Sequence, residues 1–185
     1  MNNVFFTSDN HFYHKNIQKF CPNTRFGETV LHMNELMIEA HNNRVRQNDT
    51  VYFLGDFSFG NAEETKSIVR RLNGQKHLIL GNHDKVIRGD KSIQSMFVTV
   101  QDYKKISVDK IAIVLFHYPM REWQHMHDGS YHLFGHVHGG LMTKPHGRSM
   151  DVGIDTRCPA DMAPWSFEEI HRELRNKEVL KHHGD

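Results

Sequence analysis

The sequence has little cysteine. Cys21 and Cys158 stand far apart and in no CxxC pair, which argues against a disulfide framework or a thiolate zinc site. Charge of one sign is also lacking. Twenty-three lysines and arginines face 22 aspartates and glutamates, for a formal charge of +1, so no strong field exists to hold a nucleic-acid backbone or an anionic membrane. No apolar run is long enough to span a bilayer, and Met1-Asn2-Asn3 passes into Val4-Phe5-Phe6 without the basic segment of a signal peptide. Internal repeats, low-complexity stretches and linkers are absent as well. These absences lead us to expect one domain over residues 1–185, soluble and cytoplasmic, with no membrane association and no stable nucleic-acid partner.

Histidine, by contrast, is plentiful, at 16 in 185 residues. His182 and His183 read as solvated terminal residues. Most of the others lie inside the chain, and their distribution is informative only against the predicted elements.

Clusters of β-branched and aromatic residues between turn signals predict strands at Val4 to Thr7, Thr50 to Leu54, His77 to Leu80, Met96 to Val100, Ile111 to Phe116, Tyr131 to Phe134 and Met150 to Ile154. Val30, Met33, Met37 and Ala40 recur at helical spacing and share one face. Asn61 with Glu64, and Ser166 with Glu169, are capping-box signals for two further helices. Strands alternating with helices early, and strands in close succession later, predict a mixed sheet or two stacked sheets with helices outside.

Five of these apolar runs end in the same kind of residue. Val4 to Thr7 leads to Ser8-Asp9-Asn10-His11, and Val51 to Leu54 leads to Gly55-Asp56. Leu78 to Leu80 leads to Gly81-Asn82-His83-Asp84, Ile113 to Phe116 leads to His117, and Leu133-Phe134 leads to Gly135-His136-Val137-His138. Ends of neighbouring strands project into one crevice, where sheet enzymes bind their ligands. Asp9 and His11 stand two apart, as do His136 and His138, so an extended backbone would point each pair to one side. Carboxylate, amide and imidazole donors together suit Mn, Fe, Ni or Zn. Seven of them are too many for one tetrahedral ion and suit two ions that keep open positions.

Asp9-x-His11, Gly55-Asp56, Gly81-Asn82-His83-Asp84, His117 and Gly135-His136-x-His138 resemble the ordered motifs of the calcineurin-like metallophosphoesterase superfamily. The resemblance runs from about Val4 to Ile170, and Ser8 to Ile17 is similar to the opening of a compact bacterial and phage branch. It implies an α/β fold, a four-layer α/β/β/α sandwich of two mixed sheets flanked by helices. It further implies that Asp9, His11 and His138 hold one metal, that Asn82, His117 and His136 hold a second, and that Asp56 bridges them. His83 would be no ligand but would act on the substrate. The implied activity is hydrolysis of a small nucleotide or related phosphate ester by a metal-activated hydroxide, with a diester favoured. The alternatives are a nuclease, a phosphomonoesterase or a non-catalytic scaffold. Protein-phosphatase relatives read Gly-Asp-x-x-Asp-Arg-Gly where this chain has Gly55-Asp56-Phe57-Ser58-Phe59-Gly60, so their way of orienting the histidine is missing here.

Weaker candidates complete the set. His14 and Arg121 are candidate substrate contacts, Arg121 because a guanidinium can grip a phosphate in two-pronged fashion. Asp84 is assigned to capping or bracing its loop. Asp151, Asp155 and Arg157 read as a turn, and His32, His41 and His171 as surface residues on or near helices. His125, His127, His132 and His146 read as loop or lid, and Trp123 and Trp165 as packing residues.

Overall fold

Phe5 and Phe6 are neighbours in sequence and lie on opposite faces of one strand, as a period of two requires, and each anchors its own core. Phe5 packs with Val51, Phe53, Leu78, Met33, Met37, Ile68 and Val69 in one apolar cluster. Phe6 packs with Leu54, Ile79, Ile113, Leu115, Tyr131, Leu133 and Val152 in another. Full burial of such side chains stabilises by about 1.5–3 kcal/mol each. A computed structural model describes residues 2–140, 146–157 and 160–181. Cys158, His182 and His183 lie outside the described residues.

Along the described chain the elements run β1 (Val4–Thr7), α1 (Ile17–Phe20), α2 (Val30–Arg44), β2 (Thr50–Phe53), α3 (Ala62–Arg71), β3 (Gln75–Ile79), α4 (Lys85–Gly89) and α5 (Lys91–Gln94). They continue with β4 (Thr99–Gln101), β5 (Tyr103–Val108), β6 (Ile111–Phe116), β7 (Tyr131–Phe134), β8 (Ser149–Asp151), β9 (Trp165–Ser166) and α6 (Phe167–Leu174). One sheet has the order β4-β3-β2-β1-β9, the other β5-β6-β7-β8. Both are mixed. The strands β1 to β4 are parallel with β9 antiparallel at the edge, and β6 to β8 are parallel with β5 antiparallel. The cluster around Phe6 fills the space between the sheets, and that around Phe5 packs α2 and α3 on the outer face of the first. This is the α/β/β/α sandwich of two mixed sheets flanked by helices. None of the described helices is long and apolar enough to cross a membrane.

The predicted helix starts hold. Asn61 and Ser166 each make a reciprocal capping box, with Glu64 and Glu169, and Thr29 caps α2. Other expectations are corrected. Residues 96–98 are not strand, because Asp90 caps α5 and the turns that follow it carry Met96 and Phe97 back onto Ile93 and Gln94 before β4 begins at Thr99. The strand expected to reach Ile154 stops at Asp151, since Ile154–Thr156 is a 3-10 turn. The edge strands β5 and β9 and the short helices α1, α4 and α5 escaped prediction. In β5 the lysines Lys104 and Lys105 mask the alternation, and β9 has two residues.

Two histidines change place. His41 is buried, with Nε2 donating to the Asn73 carbonyl at 3.0 Å and the ring stacked on Phe53; a helix face that meets a sheet buries whatever stands on it. His132 is a fully buried residue of β7, not loop, with Nδ1 donating to Val114 O and Nε2 accepting from Met120 N. His171 is half-buried and bonded to the Tyr131 hydroxyl.

Candidate metal centre

The parallel strands deliver their C-terminal ends to one edge of the sandwich, and there Asp9, His11, Asp56, Asn82, His83, His117, His136 and His138 come together. The backbone that carries them is not extended. Asp9, His11, Asp56, His136 and His138 all have positive φ, between 48° and 72°, a region that costs a non-glycine residue on the order of 1–3 kcal/mol. The two-residue spacing of Asp9/His11 and His136/His138 therefore works through left-handed turns, correcting the extended geometry expected. Aspartate and histidine tolerate that region better than most residues.

Two glycines explain how loops bearing bulky ligands approach so closely. A Cβ on Gly81 would strike the Asp56 carboxylate, and one on Gly135 would fall on Ser8 Oγ and the Asp9 carboxylate. Main-chain bonds then join the first two loops, with Asp9 N donating to Gly55 O and His11 N to Asp56 O, each at 3.0 Å. Asp84 braces the second and third. Its carboxylate accepts from Asp56 N, Phe57 N and Gly81 N at 2.8–2.9 Å.

Each inner carboxylate spends one oxygen on a neighbouring loop and leaves the other facing inward. Asp9 Oδ2 accepts from His136 N at 2.9 Å. Asp56 Oδ1 accepts from His83 N at 2.8 Å. Asp9 Oδ1 and His11 Nε2 are buried with no hydrogen-bond partner, 3.8 Å apart, and His138 Nε2 lies 4.0 Å from the same oxygen. Asp56 Oδ2 is 3.6 Å from both His11 Nε2 and His117 Nε2. Asp9, His11 and His138 thus form one group able to hold a cation, and Asp56, His117 and His136 another.

The ring tautomers suit that use. His117 Nδ1 donates to Leu54 O at 2.7 Å, so the lone pair of the neutral ring lies on Nε2, 3.0 Å from the Asn82 amide oxygen. Two acceptors so close need a proton or a cation between them. Burial opposes charging His117, but the adjacent Asp56 carboxylate outweighs it and raises the pKa. Burial lowers the pKa of His11 from the usual histidine value and so favours its neutral form.

His138 is oriented by residues that sequence reasoning missed. Its Nδ1 donates to Asp155 Oδ2 at 2.6 Å; Asp155 lies in a turn, as expected, and from there also reaches His138. Asp155 also accepts from Arg25 Nε at 2.8 Å and Nη2 at 2.7 Å. The same buried guanidinium donates to the carbonyls of Asp9 and Asn10, so one side chain ties the Asp9 loop to the His138 loop. Burial would raise the Asp155 pKa, but the bonds from His138 and Arg25 hold it well below the carboxylate range. No motif marks Arg25. The signal for Asp155 was its place after β8, a sixth strand end at the same edge. Cys21 also lies near His138 and Asp155, but burial and then Asp155 raise its thiol pKa, and those two residues already bond each other.

His83 is exposed, its ring 4.7 Å from that of Phe59 and 5.9 Å from His11. His14 is at the centre, with Nδ1 3.0 Å from His11 Nδ1, and burial, then the neighbouring His11 and His83, push its pKa down to about 4. Arg121 is exposed, without a hydrogen bond or ion pair to a described residue. His125 stands at the opposite end of the second sheet, beside Ile111 and Tyr131. Trp123 is buried, its indole N–H donating to Ser130. Asp151 accepts from Gly139 N and Gly153 N and braces the same edge.

No protein-family model matches the chain. It is 32% identical to an uncharacterized protein of Methanocaldococcus jannaschii over 98% of this chain and 96% of that protein. It is 27% identical to the gene 66 protein of Mycobacterium phage L5, covering 84% of this chain and 87% of the phage protein. Among solved structures it is similar to a protein of unknown function from Aquifex aeolicus, with a TM-score of 0.73, 25% identity, and coverage of 94% of this chain and all of that one.

Proposed function

The chain belongs to the calcineurin-like metallophosphoesterase superfamily, in the family of the Methanocaldococcus jannaschii protein, and on that premise we propose that it is a binuclear metal-dependent phosphodiesterase acting on small phosphate esters in the cytoplasm. The observation that carries the reading is the unpartnered pair Asp9 Oδ1 and His11 Nε2, buried beside an Asp56 oxygen that faces two histidines. A buried acceptor without a donor costs about 1–3 kcal/mol, and divalent cations satisfy several at once.

In this reading Asp9, His11 and His138 would hold one ion, Asn82, His117 and His136 the other, and Asp56 would serve both. Mn, Fe, Ni or Zn suits such mixed oxygen and imidazole donors. When bound, the ions supply Lewis acidity toward phosphoryl oxygens and lower the pKa of water toward about 7. The residues of the chain do the rest. His138, held through Nδ1 by Asp155, and His117, held through Nδ1 by Leu54 O, keep their Nε2 lone pairs aimed inward. His83, free of the ligand set and exposed beside it, donates a proton or hydrogen bond to the ester as the leaving alkoxide departs. His14, whose Nδ1 lies 3.0 Å from His11 Nδ1, is assigned in this reading to contact with the phosphate ester.

The test is hydrolysis of bis(4-nitrophenyl) phosphate and 4-nitrophenyl phosphate by metal-stripped protein, with Mn, Ni, Zn or Mg restored singly. A transition metal should restore activity, more on the diester. Failure to bind any of these metals would overturn the reading. His83→Ala should keep both metals and lower kcat.

A further inference from the structure

The strands that carry His117 and His136 to the metal centre begin, at their other ends, in the wall of a cavity. Ile111 opens β6 there and Tyr131 opens β7. From Ile111 to His117 the chain is extended, on the order of 20 Å at about 3.3 Å per residue, so the cavity is a place apart from the centre. Its volume is about 590 Å³, within the range of about 300–1,000 Å³ that small-molecule sites occupy. Its lining is basic in a chain that is near neutral as a whole. Lys110, Arg148 and Arg175 face one acid, Asp128, and that carboxylate is taken by His125 Nδ1 at 2.9 Å. Arg148 has carbonyls for partners, those of Arg175 at 2.9 Å, Lys177 at 3.1 Å and Gly129 at 3.5 Å, which hold the guanidinium in place without cancelling its charge. Lys110 and Arg175 are exposed, with no side-chain hydrogen bond or ion pair to a described residue. Tyr131 and His171 share the wall, hydroxyl to Nδ1 at 2.9 Å. Burial raises the Tyr131 pKa and the charges of Arg148 and Arg175 oppose the rise, as expected where both guanidiniums converge on that hydroxyl.

We propose that this cavity is a second ligand site, which takes the phosphate group of a small molecule. Guanidinium and ammonium groups pair with phosphate oxygens through charge-assisted hydrogen bonds, arginine in two-pronged fashion. Three cations beside an acid that is already spent suit a group carrying nearly two negative charges, as a phosphate monoester does near pH 7, better than a single carboxylate. Ile111 and Ala112 add apolar wall next to them, which suits a phosphate borne on a carbon skeleton. None of the residues proposed to hold a metal or act on the ester lines the cavity. The ligand is therefore bound there and not turned over, and the site does not depend on the phosphodiesterase reading.

The experiment titrates the full chain, labelled with nitrogen-15, with phenylphosphonate, whose carbon–phosphorus bond a phosphoesterase does not hydrolyse, and separately with inorganic phosphate and benzoate, while backbone amides are followed by NMR. The amides of Ala112, Gly129 and Ser130 should shift and saturate with phenylphosphonate. Arg148 also holds the carbonyls at the end of α6, so the variant joins Lys110→Gln with Arg175→Gln, both at exposed positions where the fold should tolerate the change. It should weaken the binding at least about tenfold, the scale of one lost hydrogen bond to a charged group, with an unchanged Tm. Benzoate, with a single negative charge, should bind at least about tenfold more weakly than phenylphosphonate. Phenylphosphonate tighter than inorganic phosphate assigns an organic phosphate to the site, and equal affinity assigns the free anion. No saturable shift at Gly129 and Ser130, a midpoint unchanged in the double variant, or benzoate as tight as phenylphosphonate would overturn the proposal. So would shifts confined to the neighbourhood of Asn82 and His136, which would leave the metal centre as the phosphonate's site.

Discussion

The two halves of the centre are built differently. In the first, Asp9 and His11 are almost wholly buried and His138 is held by a carboxylate that a buried guanidinium grips in turn. In the second, His117 is buried but oriented by a backbone carbonyl, while Asn82 and His136 are exposed. Outer partners of a ligand set its orientation and basicity. The first half is therefore the more preorganised, and under the proposed two-ion reading an ion there should be the tighter bound.

Removing what the halves share should have the largest effect. Asp56→Ala is expected to lower metal content at both positions and diester hydrolysis more than about 100-fold, beyond the range of about 10–100-fold typical of an outer partner; elemental analysis and kinetics check it. Full activity in this variant would refute the shared carboxylate.

Asp155→Asn should separate the halves. It leaves Arg25 buried without its carboxylate, a loss of about 3–5 kcal/mol for a broken buried pair, and should weaken the first ion about 10–100-fold while the second changes little. Manganese titration with thermal unfolding reads both. Equal weakening at the two positions would break the comparison.

Acid should separate the core from the centre. Burial lowers His41 and His132 to about 4, against about 6.5 unfolded. Between those values the unfolded chain binds the protons and the folded one does not. Stability of the metal-free protein should thus fall as pH drops from about 6.5 to 4, by up to about 1.4 kcal/mol per pH unit for each histidine. Asp155 acts lower. Its folded pKa is depressed, so its contribution is present above the ordinary carboxylate pKa and is lost as pH falls further. Urea unfolding across pH, with His132→Phe to remove one of the two histidines, tests the assignment.

The smallest effect belongs to the exposed half. Tyr118→Phe removes a hydroxyl that bonds Asn82 Oδ1 at 3.4 Å, and a change within about 0.5 kcal/mol is expected in metal binding, as for exposed substitutions generally.

Much of this could be read without a structure because strand period and strand ends are local. Val4 to Thr7 and Ile111 to Phe116 match β1 and β6, and parallel strands bring their polar ends to one edge, so Asp9, Asp56, Asn82, His117 and His136 could be grouped from the order of motifs. Arg25 could not, since a lone arginine between Thr24 and Phe26 looks like any surface cation until its burial is known. Asp155 failed differently. It followed a predicted strand as the others did and lies in the turn expected there, but a turn position does not tell which histidine its carboxylate reaches.

The sequence by itself determined the inner strands, the longer helices, the shared edge and the kinds of donor gathered there, because apolar period and residue chemistry are properties of short stretches. Only the tertiary structure decided the left-handed turns that aim those donors, the guanidinium that ties the Asp9 loop to the His138 loop, and the cavity that gathers Lys110, Arg148 and Arg175. Each depends on atoms more than a dozen residues apart, or on which face of a loop meets water, and no short stretch of chain encodes that.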